Sequence, residues 1–202
     1  MQSLLTIATL LLGQCLSATA LANRTHAPVV TNPHHALYQA TLPIRQNTTI
    51  RGWITLLAPE KATGVKVHAD FWGFPNNSSL EYYIHEDPVP SDGNCYRTGS
   101  PFDPYSRRAS IPCNTTTPQA CRIGDLSGKH GPIFTAADQG FEARYNDLYL
   151  STEPGALAYF GNRSIVVHRV SDNARLSCAN FTLVVRPEIP VVAVPVEKVS
   201  ED

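Results

Sequence analysis

Short segments in which apolar and polar residues alternate recur through this chain and are separated by turn-forming residues. Successive side chains of a β-strand point to opposite faces, so the alternation predicts strands that each bury one face. No segment has the period of a long amphipathic helix, so the pattern predicts an all-β fold, an antiparallel sandwich or barrel. The predicted strands are residues 37–42, 48–57, 65–71, 80–85, 143–151, 156–160, 164–170 and 177–186.

The N-terminus predicts a secretory signal peptide over residues 1–22. Residues 3–21 are mostly apolar, carry no charge and end at small residues, and a retained anchor would need about 20 apolar residues in its core. We therefore expect a flexible N-terminal segment at 23–36, one domain at 37–187 and a C-terminal tail at 188–202. The tail has no second apolar run, so no membrane span and no lipid-anchor signal are expected.

Four cysteines remain after removal of the signal peptide: Cys95, Cys113, Cys121 and Cys178. An even count suits disulfides in an oxidising compartment, and three pairings are possible. The short separation of Cys113 and Cys121 favours a local staple in the loop region 87–138, with Cys95 and Cys178 as a long-range pair. A four-cysteine zinc site is the alternative, although no Cys-x-x-Cys spacing occurs.

The remaining composition fits a secreted glycoprotein. The formal net charge of −1 and the absence of a basic run argue against a nucleic-acid partner and against electrostatic membrane binding. Sequons for N-glycosylation begin at seven asparagines. They are Asn23, Asn47, Asn76, Asn77, Asn114, Asn162 and Asn180.

The predicted strand 80–85 places Glu81, Tyr83 and His85 on one face. In a metalloenzyme built on a β-sheet, two histidines at a spacing of two can bind one metal ion. Here a tyrosine occupies the first of the two positions.

Several separated motifs, in order, resemble the fungal extracellular copper-only branch of the copper/zinc superoxide dismutase family. The resemblance runs from about residue 38 to 185. The motifs are Tyr-Ile-His-Glu-Asp-Pro-Val-Pro at 83–90, Asn-Cys at 94–95, Phe-Asp-Pro-Tyr at 102–105, Gly-Asp-Leu-Ser-Gly-Lys-His-Gly at 124–131, Tyr-Asn-Asp at 145–147, Ser-Ile-Val-Val-His at 164–168 and Arg-Leu-Ser-Cys-Ala-Asn at 175–180.

The resemblance implies an immunoglobulin-like Greek-key β-barrel or sandwich with long disulfide-stapled loops, in which Cys95 pairs with Cys178. It also implies a copper enzyme without zinc. Only six residues separate His168 from Arg175, where zinc-containing members have a long electrostatic loop. In such enzymes copper alternates between Cu(II) and Cu(I) and converts superoxide to oxygen and hydrogen peroxide.

Two of the family's four copper-ligand positions have lost their histidine in this chain. The four positions correspond to Tyr83, Pro101, His85 and His168, and proline has no side-chain donor atom. The glutamate that partners the histidine at position 101 in the family corresponds to Arg122. His85 and His168, with Tyr83 as a third and weaker donor, are therefore all that remains for copper.

Other features of the family persist. Arg175 corresponds to the residue that guides the superoxide anion, and Asp125 corresponds to one that orients a copper ligand by a hydrogen bond. Both can also serve the scaffold by binding loop amides and carbonyls. Replacement of a lost ligand by His130 or His68 is a weaker alternative, and His34 and His35 are expected to be exposed.

We therefore expect a secreted, N-glycosylated superoxide dismutase-like protein with a degenerate copper site and a non-catalytic binding or surface role, located outside the cell or at the cell wall. The alternative is an active or weakly active copper superoxide dismutase. In that case superoxide is the substrate.

Overall fold

The computed structural model describes residues 26–45, 48–76, 78–107, 112–134 and 139–184. The predicted signal peptide and C-terminal tail lie outside these ranges, as do Asn23, Asn47 and Asn77. The strands are β1 (Thr31–Asn32), β2 (Ala36–Leu42), β3 (Arg51–Ala58), β4 (Ala62–Thr63), β5 (Val65–Trp72), β6 (Ser79–His85), β7 (Ile133–Phe134), β8 (Phe141–Asp147), β9 (Ser164–Arg169), β10 (Arg175–Asn180) and β11 (Thr182–Leu183). The described helices are one short α-helix, α1 (Leu126–His130), and two 3-10 turns, Cys95–Arg97 and Pro118–Ala120.

The described strands form two antiparallel sheets that enclose a shared core. One sheet has the order β10-β9-β6-β7, the other has the order β11-β2-β3-β5-β8, and β1 pairs separately with β4. Side chains from both sheets meet between them: Phe71 of β5 lies edge-on to Tyr82 of β6, with 5.8 Å between ring centroids. The predicted all-β sandwich is confirmed.

The alternation along the strands sets which residues enter the core. In β3, Ile54 and Leu56 are fully buried, whereas Trp53 and Thr55 between them are partly exposed. The same alternation in β5 places His68 on the outer face, as expected from the sequence. His68 Nε2 lies 2.9 Å from Glu142 Oε1 there.

The predicted strand at 156–160 is not formed. Tyr159 makes one isolated bridge to Ser151, and the chain turns twice, with hydrogen bonds from Ala156 N to Glu153 O and from Tyr159 N to Ala156 O. Phe160 is nevertheless buried in the core. The apolar pattern therefore predicted the burial of Ala158 and Phe160, but neither the exposure of Leu157 nor the backbone conformation of the segment.

The expected flexible segment at 23–36 contains an ordered part. Ala27 N donates to Gln119 O, and Thr31 and Asn32 pair with β4. The Asn32 side chain is fully buried, where it donates to Gly64 O at 2.9 Å and accepts from Thr152 N at 2.9 Å. Because the anchoring residue is polar, hydrophobic patterning could not reveal it.

Two disulfide bonds crosslink the loop region 87–138, as predicted. Cys113 and Cys121 are bonded across a short loop, and Cys95 is bonded to Cys178 with 5.7 Å between their Cα atoms. The second bridge ties the loop after β6 to β10. That loop therefore has a fixed position over the end of β6, where His85 lies.

A buried ion pair links α1 to the end of β8. Lys129 Nζ lies 2.5 Å from Asp147 Oδ2, both side chains are inaccessible to solvent, and His130 Nε2 lies 2.9 Å from the same oxygen. Burial raises the pKa of Asp147, but the charge of Lys129 and the bond with His130 outweigh it and lower this pKa to about 2. The ionised form of Asp147 is thus the one that stabilises the fold.

We expect the free energy of unfolding to decrease as the pH falls from about 4 to about 2. The ordinary pKa of an aspartate is 3.8, so the stabilisation is fully present above that pH and is lost through the folded-state pKa of about 2. The contribution is roughly 2 kcal/mol. Urea denaturation at stepped pH values measures it.

The control is Asp172→Asn. Asp172 is exposed, and its pKa is also lowered to about 2, mainly by its bond with Arg169. Most of the pH dependence should survive in this variant. A free energy of unfolding that is level from pH 5 to pH 2 in the unmodified chain would contradict the assignment.

Candidate metal centre

The two predicted histidine ligands meet on one face of the four-stranded sheet. β6 and β9 pair so that Glu81 lies opposite His168 and His85 lies opposite Ser164. The Nε2 atoms of His85 and His168 are 2.9 Å apart, and the rings stack with 5.1 Å between centroids. Both side chains are buried.

The neighbours of the ring nitrogens determine where the protons lie. Gly99 O can only accept, so His85 Nδ1, 3.1 Å away, donates to it, and neutral His85 presents a lone pair at Nε2. His168 Nδ1 lies 2.9 Å from Asn173 Oδ1. With the His168 proton on Nδ1, two lone pairs converge on one point, as a metal ion requires. With that proton on Nε2, His168 donates a hydrogen bond to His85 Nε2, and no lone pair is left for a metal ion between the rings.

Both imidazoles are held neutral. Burial, followed by His168 and the charge of Arg175, lowers the pKa of His85 to about 3. Burial also lowers the pKa of His168, although Asn173 opposes this change. Two neutral nitrogen donors are therefore available at neutral pH.

Tyr83 packs against the histidine pair but directs its hydroxyl elsewhere. Its ring lies edge-on to His168, with 5.2 Å between centroids, and its hydroxyl donates to Glu81 Oε2 at 2.5 Å. Burial raises the pKa of Tyr83 strongly, and the bond with Glu81 raises it further. The phenolate that could bind Cu(II) is thus disfavoured.

Pro101 lies directly beside His85. The two residues form an isolated antiparallel bridge, and Phe102 N donates to Ile84 O at 2.8 Å next to it. Residues paired in this way project to the same side. Position 101 therefore faces the histidine pair with no atom that could bind a metal.

Arg122 adds a positive charge on the Tyr83 side of the pair. Its guanidinium carbon lies 5.9 Å from the centre of the Tyr83 ring, and its charge contributes to lowering the pKa of His85. A cation that lowers the proton affinity of a histidine also opposes a bound metal ion.

Arg175 holds the loop that positions His85. It donates to Cys95 O at 2.9 Å, to Thr98 Oγ1 at 3.0 Å and to Gly99 O at 2.8 Å. Gly99 O is the acceptor of His85 Nδ1. Arg175 therefore has a scaffold role that needs no substrate.

Asp125 likewise has a structural role in this chain. It precedes α1 and accepts from Gly128 N at 2.7 Å. Burial raises its pKa, although the Gly128 bond and the Arg122 charge act in the opposite direction. This contact fixes the start of α1 without a metal.

The other histidines considered from the sequence are engaged or exposed. His130 binds Asp147 and stacks on Tyr145 at 3.9 Å, His68 binds Glu142, and the adjacent His34 and His35 are exposed. Across the described ranges, no group of three or more His, Cys, Asp or Glu side chains is placed to hold a metal.

Sequence reasoning missed the residues that orient the ring nitrogens. Thr98 and Gly99 belong to an irregular loop and gave no signal. Asn173 has φ of 56° in the short turn after β9, a conformation that asparagine tolerates better than most residues. The strand alternation placed Glu81 on the face of Tyr83 but did not predict the hydrogen bond between them.

Comparisons with known proteins find relatives of this chain in fungi. No protein-family model matches it. It is 39% identical to a cell surface Cu-only superoxide dismutase of Arthroderma benhamiae, over 93% of this chain and 58% of that protein. It is 36% identical to cell surface superoxide dismutase (Cu-Zn) 4 of Candida albicans, over 83% of this chain and 69% of that protein. The chain thus spans little more than half of the first relative's length.

A solved structure, Candida albicans superoxide dismutase 5 with Cu(II), matches with a TM-score of 0.65 and 32% sequence identity, over 76% of this chain and 95% of that chain. The chain belongs to the fungal cell-surface copper-only superoxide dismutase family.

Proposed function

We propose that this chain is a non-catalytic member of the family: a secreted, N-glycosylated protein that keeps the superoxide dismutase scaffold for a binding or surface role. The observation that carries the proposal is Pro101, which lies beside His85 where the family has a ligand and offers no donor atom. Tyr83 supports it, since its hydroxyl is bonded to Glu81.

The residues present fit copper only in part. His85 and His168 offer two converging nitrogens, a donor number that suits Cu(I) better than Cu(II). Cu(II) favours a tetragonal set of nitrogen and oxygen donors, and neither Tyr83 nor Pro101 completes such a set here. Rapid dismutation requires both oxidation states to be accessible, and this pair lacks the further ligands that Cu(II) favours.

The extracellular location is the part of the function with the firmest support. The relatives are named as cell surface proteins, and they match 93% and 83% of this chain. Among the residues described, no helix is long and apolar enough to span a membrane. We propose in addition that residues 1–22 are a signal peptide and that 37–187 form the superoxide dismutase-like domain.

A weak copper superoxide dismutase is the second candidate. The 2.9 Å approach of the two Nε2 atoms favours it, because the pair could retain one copper ion. Superoxide, which the relatives' names identify as their substrate, would then be the substrate here. The copper would lack two ligands, so turnover would be slow.

Metal analysis separates the two candidates. The purified protein is loaded with copper, passed over a chelating resin and analysed for copper, and superoxide removal is assayed in the same sample. We expect less than one copper per chain and no more superoxide removal than in a His85→Ala/His168→Ala control. One retained copper with superoxide removal well above that control would refute the proposal.

Glycan occupancy should differ between the described sequons. Asn114 accepts from Thr116 N and Thr116 Oγ1 and leaves its exposed amide nitrogen unbonded among the described residues. Asn180 instead donates to Val89 O at 3.0 Å and accepts from Val89 N, so a sugar would intrude between β10 and this loop. We therefore expect glycan at Asn114 and Asn162, which are both exposed, and none at Asn180.

Enzymatic glycan release in heavy-oxygen water, followed by peptide mass spectrometry, measures this occupancy. A mass label on the peptides of Asn114 and Asn162 but not on the peptide of Asn180 is the expected pattern. Full occupancy at Asn180 in a folded, secreted protein would show that its bonds with Val89 are dispensable.

A further inference from the structure

Both tryptophans of this chain lie on the outer face of the five-stranded sheet. Trp53 of β3 and Trp72 of β5 are partly exposed, whereas their neighbours Ile54 and Phe71 are fully buried in the core. The register places Trp72 opposite Arg51, two residues from Trp53, so the tryptophans are diagonal neighbours on adjacent strands. Their rings leave apolar surface in water, which a binding partner can cover.

Contacts within the same face hold the Trp53 ring in place. His68 lies edge-on to it, with 4.5 Å between ring centroids. His68 Nε2 in turn lies 2.9 Å from Glu142 Oε1, which also accepts from Arg144 at 2.7 Å. The Trp53 ring is therefore ordered before a ligand arrives, which lowers the entropic cost of binding to it.

A shallow groove of about 500 Å³ crosses β2, β3, β5 and β8 next to the contact between Trp53 and His68. Apolar Leu37 and Leu57 line it together with polar Thr55 and Asn146. Asn146 is exposed, and a side-chain amide can both donate and accept hydrogen bonds. The groove thus offers apolar surface and uncharged hydrogen-bonding groups side by side.

The charges on this face favour an uncharged ligand. Three cations and two acids are interspersed over it, and Glu142 is already bonded to Arg144 and His68. A polyanion would need a patch of one sign, and this face has none. The charged side chains are Arg51, Lys66, Arg144, Asp70 and Glu142.

A protein partner fits this face less well. A stable protein interface buries roughly 800 Å² on each partner around a centre of apolar anchors. Here Trp53 lies between Thr41 and Asp70 in the register, and Gln39 lies opposite Thr55. The aromatic rings are thus surrounded by polar side chains rather than by further apolar anchors.

We propose that the outer face of the five-stranded sheet binds a neutral polysaccharide, with Trp53 and Trp72 as its stacking surfaces. A hexose ring has C–H groups on its faces and hydroxyl groups around its edge, so it can cover a tryptophan ring while bonding to polar groups beside it. The inference rests on the proposed surface role and names the partner for it. It agrees with the relatives, which are named as cell surface proteins of fungi.

The test is sedimentation of the purified chain, before and after enzymatic release of its N-glycans, with insoluble β-glucan particles and separately with chitin. The unmodified chain should bind at least one polymer in both forms. Trp53→Ala/Trp72→Ala should weaken this binding by at least about tenfold, and Trp53→Tyr/Trp72→Tyr should retain most of it. Phe134→Ala is the matched control, because Phe134 is a 76% exposed aromatic residue on β7 of the other sheet. It should bind like the unmodified chain, and thermal unfolding verifies that each variant is folded.

Failure of the unmodified chain to sediment with either polymer would overturn the proposal. Undiminished binding by a folded Trp53→Ala/Trp72→Ala variant would also overturn it, as would binding that disappears when the N-glycans are released. The assay contains no copper, so a negative result would leave the non-catalytic assignment intact. Superoxide removal by the copper-loaded chain would refute that assignment without changing the sedimentation result.

Discussion

The triple variant Tyr83→His/Pro101→His/Arg122→Glu is expected to retain one copper per chain and to remove superoxide at least about a hundredfold faster than the unmodified protein. Position 101 already faces His85, and position 83 packs against His168 at 5.2 Å. Histidines at positions 83 and 101 would therefore add two nitrogen donors to those of His85 and His168. The Arg122 change removes a cation that opposes the metal.

Copper analysis and a superoxide assay on the same sample measure this gain. The matched control is Lys66→His/Asp70→His, which adds one histidine on each side of His68 on the outer face of β5. We expect this control to bind copper loosely and to show no gain in superoxide removal. Failure of a folded triple variant to retain copper would mean that the scaffold, and not merely the ligands, has diverged.

Asp147→Asn is expected to lower the free energy of unfolding by about 3–5 kcal/mol. The change removes the negative charge that neutralises Lys129, whose side chain is inaccessible to solvent and has the Ile123 carbonyl at 2.7 Å as a second, uncharged acceptor. An unpaired buried charge is among the most destabilising single changes in a domain. For a domain of this size each kcal/mol corresponds to a melting-temperature change of about 2–4 °C.

Two companion variants define the cause of this loss. Glu142→Gln breaks an exposed pair with Arg144 and should cost less than about 1 kcal/mol. Lys129→Met/Asp147→Asn removes both charges and should recover much of the stability lost in the single variant. A double variant that is no more stable than Asp147→Asn alone would show that packing, not the unpaired charge, is responsible.

The strand pattern could be predicted because burial alternates along most strands. Over Val65–Phe71 of β5 the buried residues are apolar, and the less buried residues between them, Lys66, His68 and Asp70, are polar, so periodicity and structure agree. Residues 156–160 show the limit of this argument. Phe160 is buried like a strand residue, but Pro154 and Gly155 precede a series of turns that apolar spacing cannot distinguish from a strand.

The candidate site could be located from the sequence, but the contacts within it could not. Strand alternation gave the face of His85, and resemblance to the family gave His168 and the two substituted positions. The turn of the Tyr83 hydroxyl toward Glu81 depends on rotamers and burial, which spacing does not encode. The acceptor for His85, Gly99 O, is a backbone atom of an irregular loop and is invisible to motif reasoning.

The most direct measurement is the decay of a superoxide pulse in the presence of the unmodified chain, loaded in separate samples with Cu(I) and with Cu(II). We expect neither sample to sustain more than a single turnover per copper, because Tyr83 and Pro101 leave copper with two nitrogen donors. Repeated turnover at the same rate from both starting states would contradict it, and would identify the chain as a working superoxide dismutase with a different ligand set.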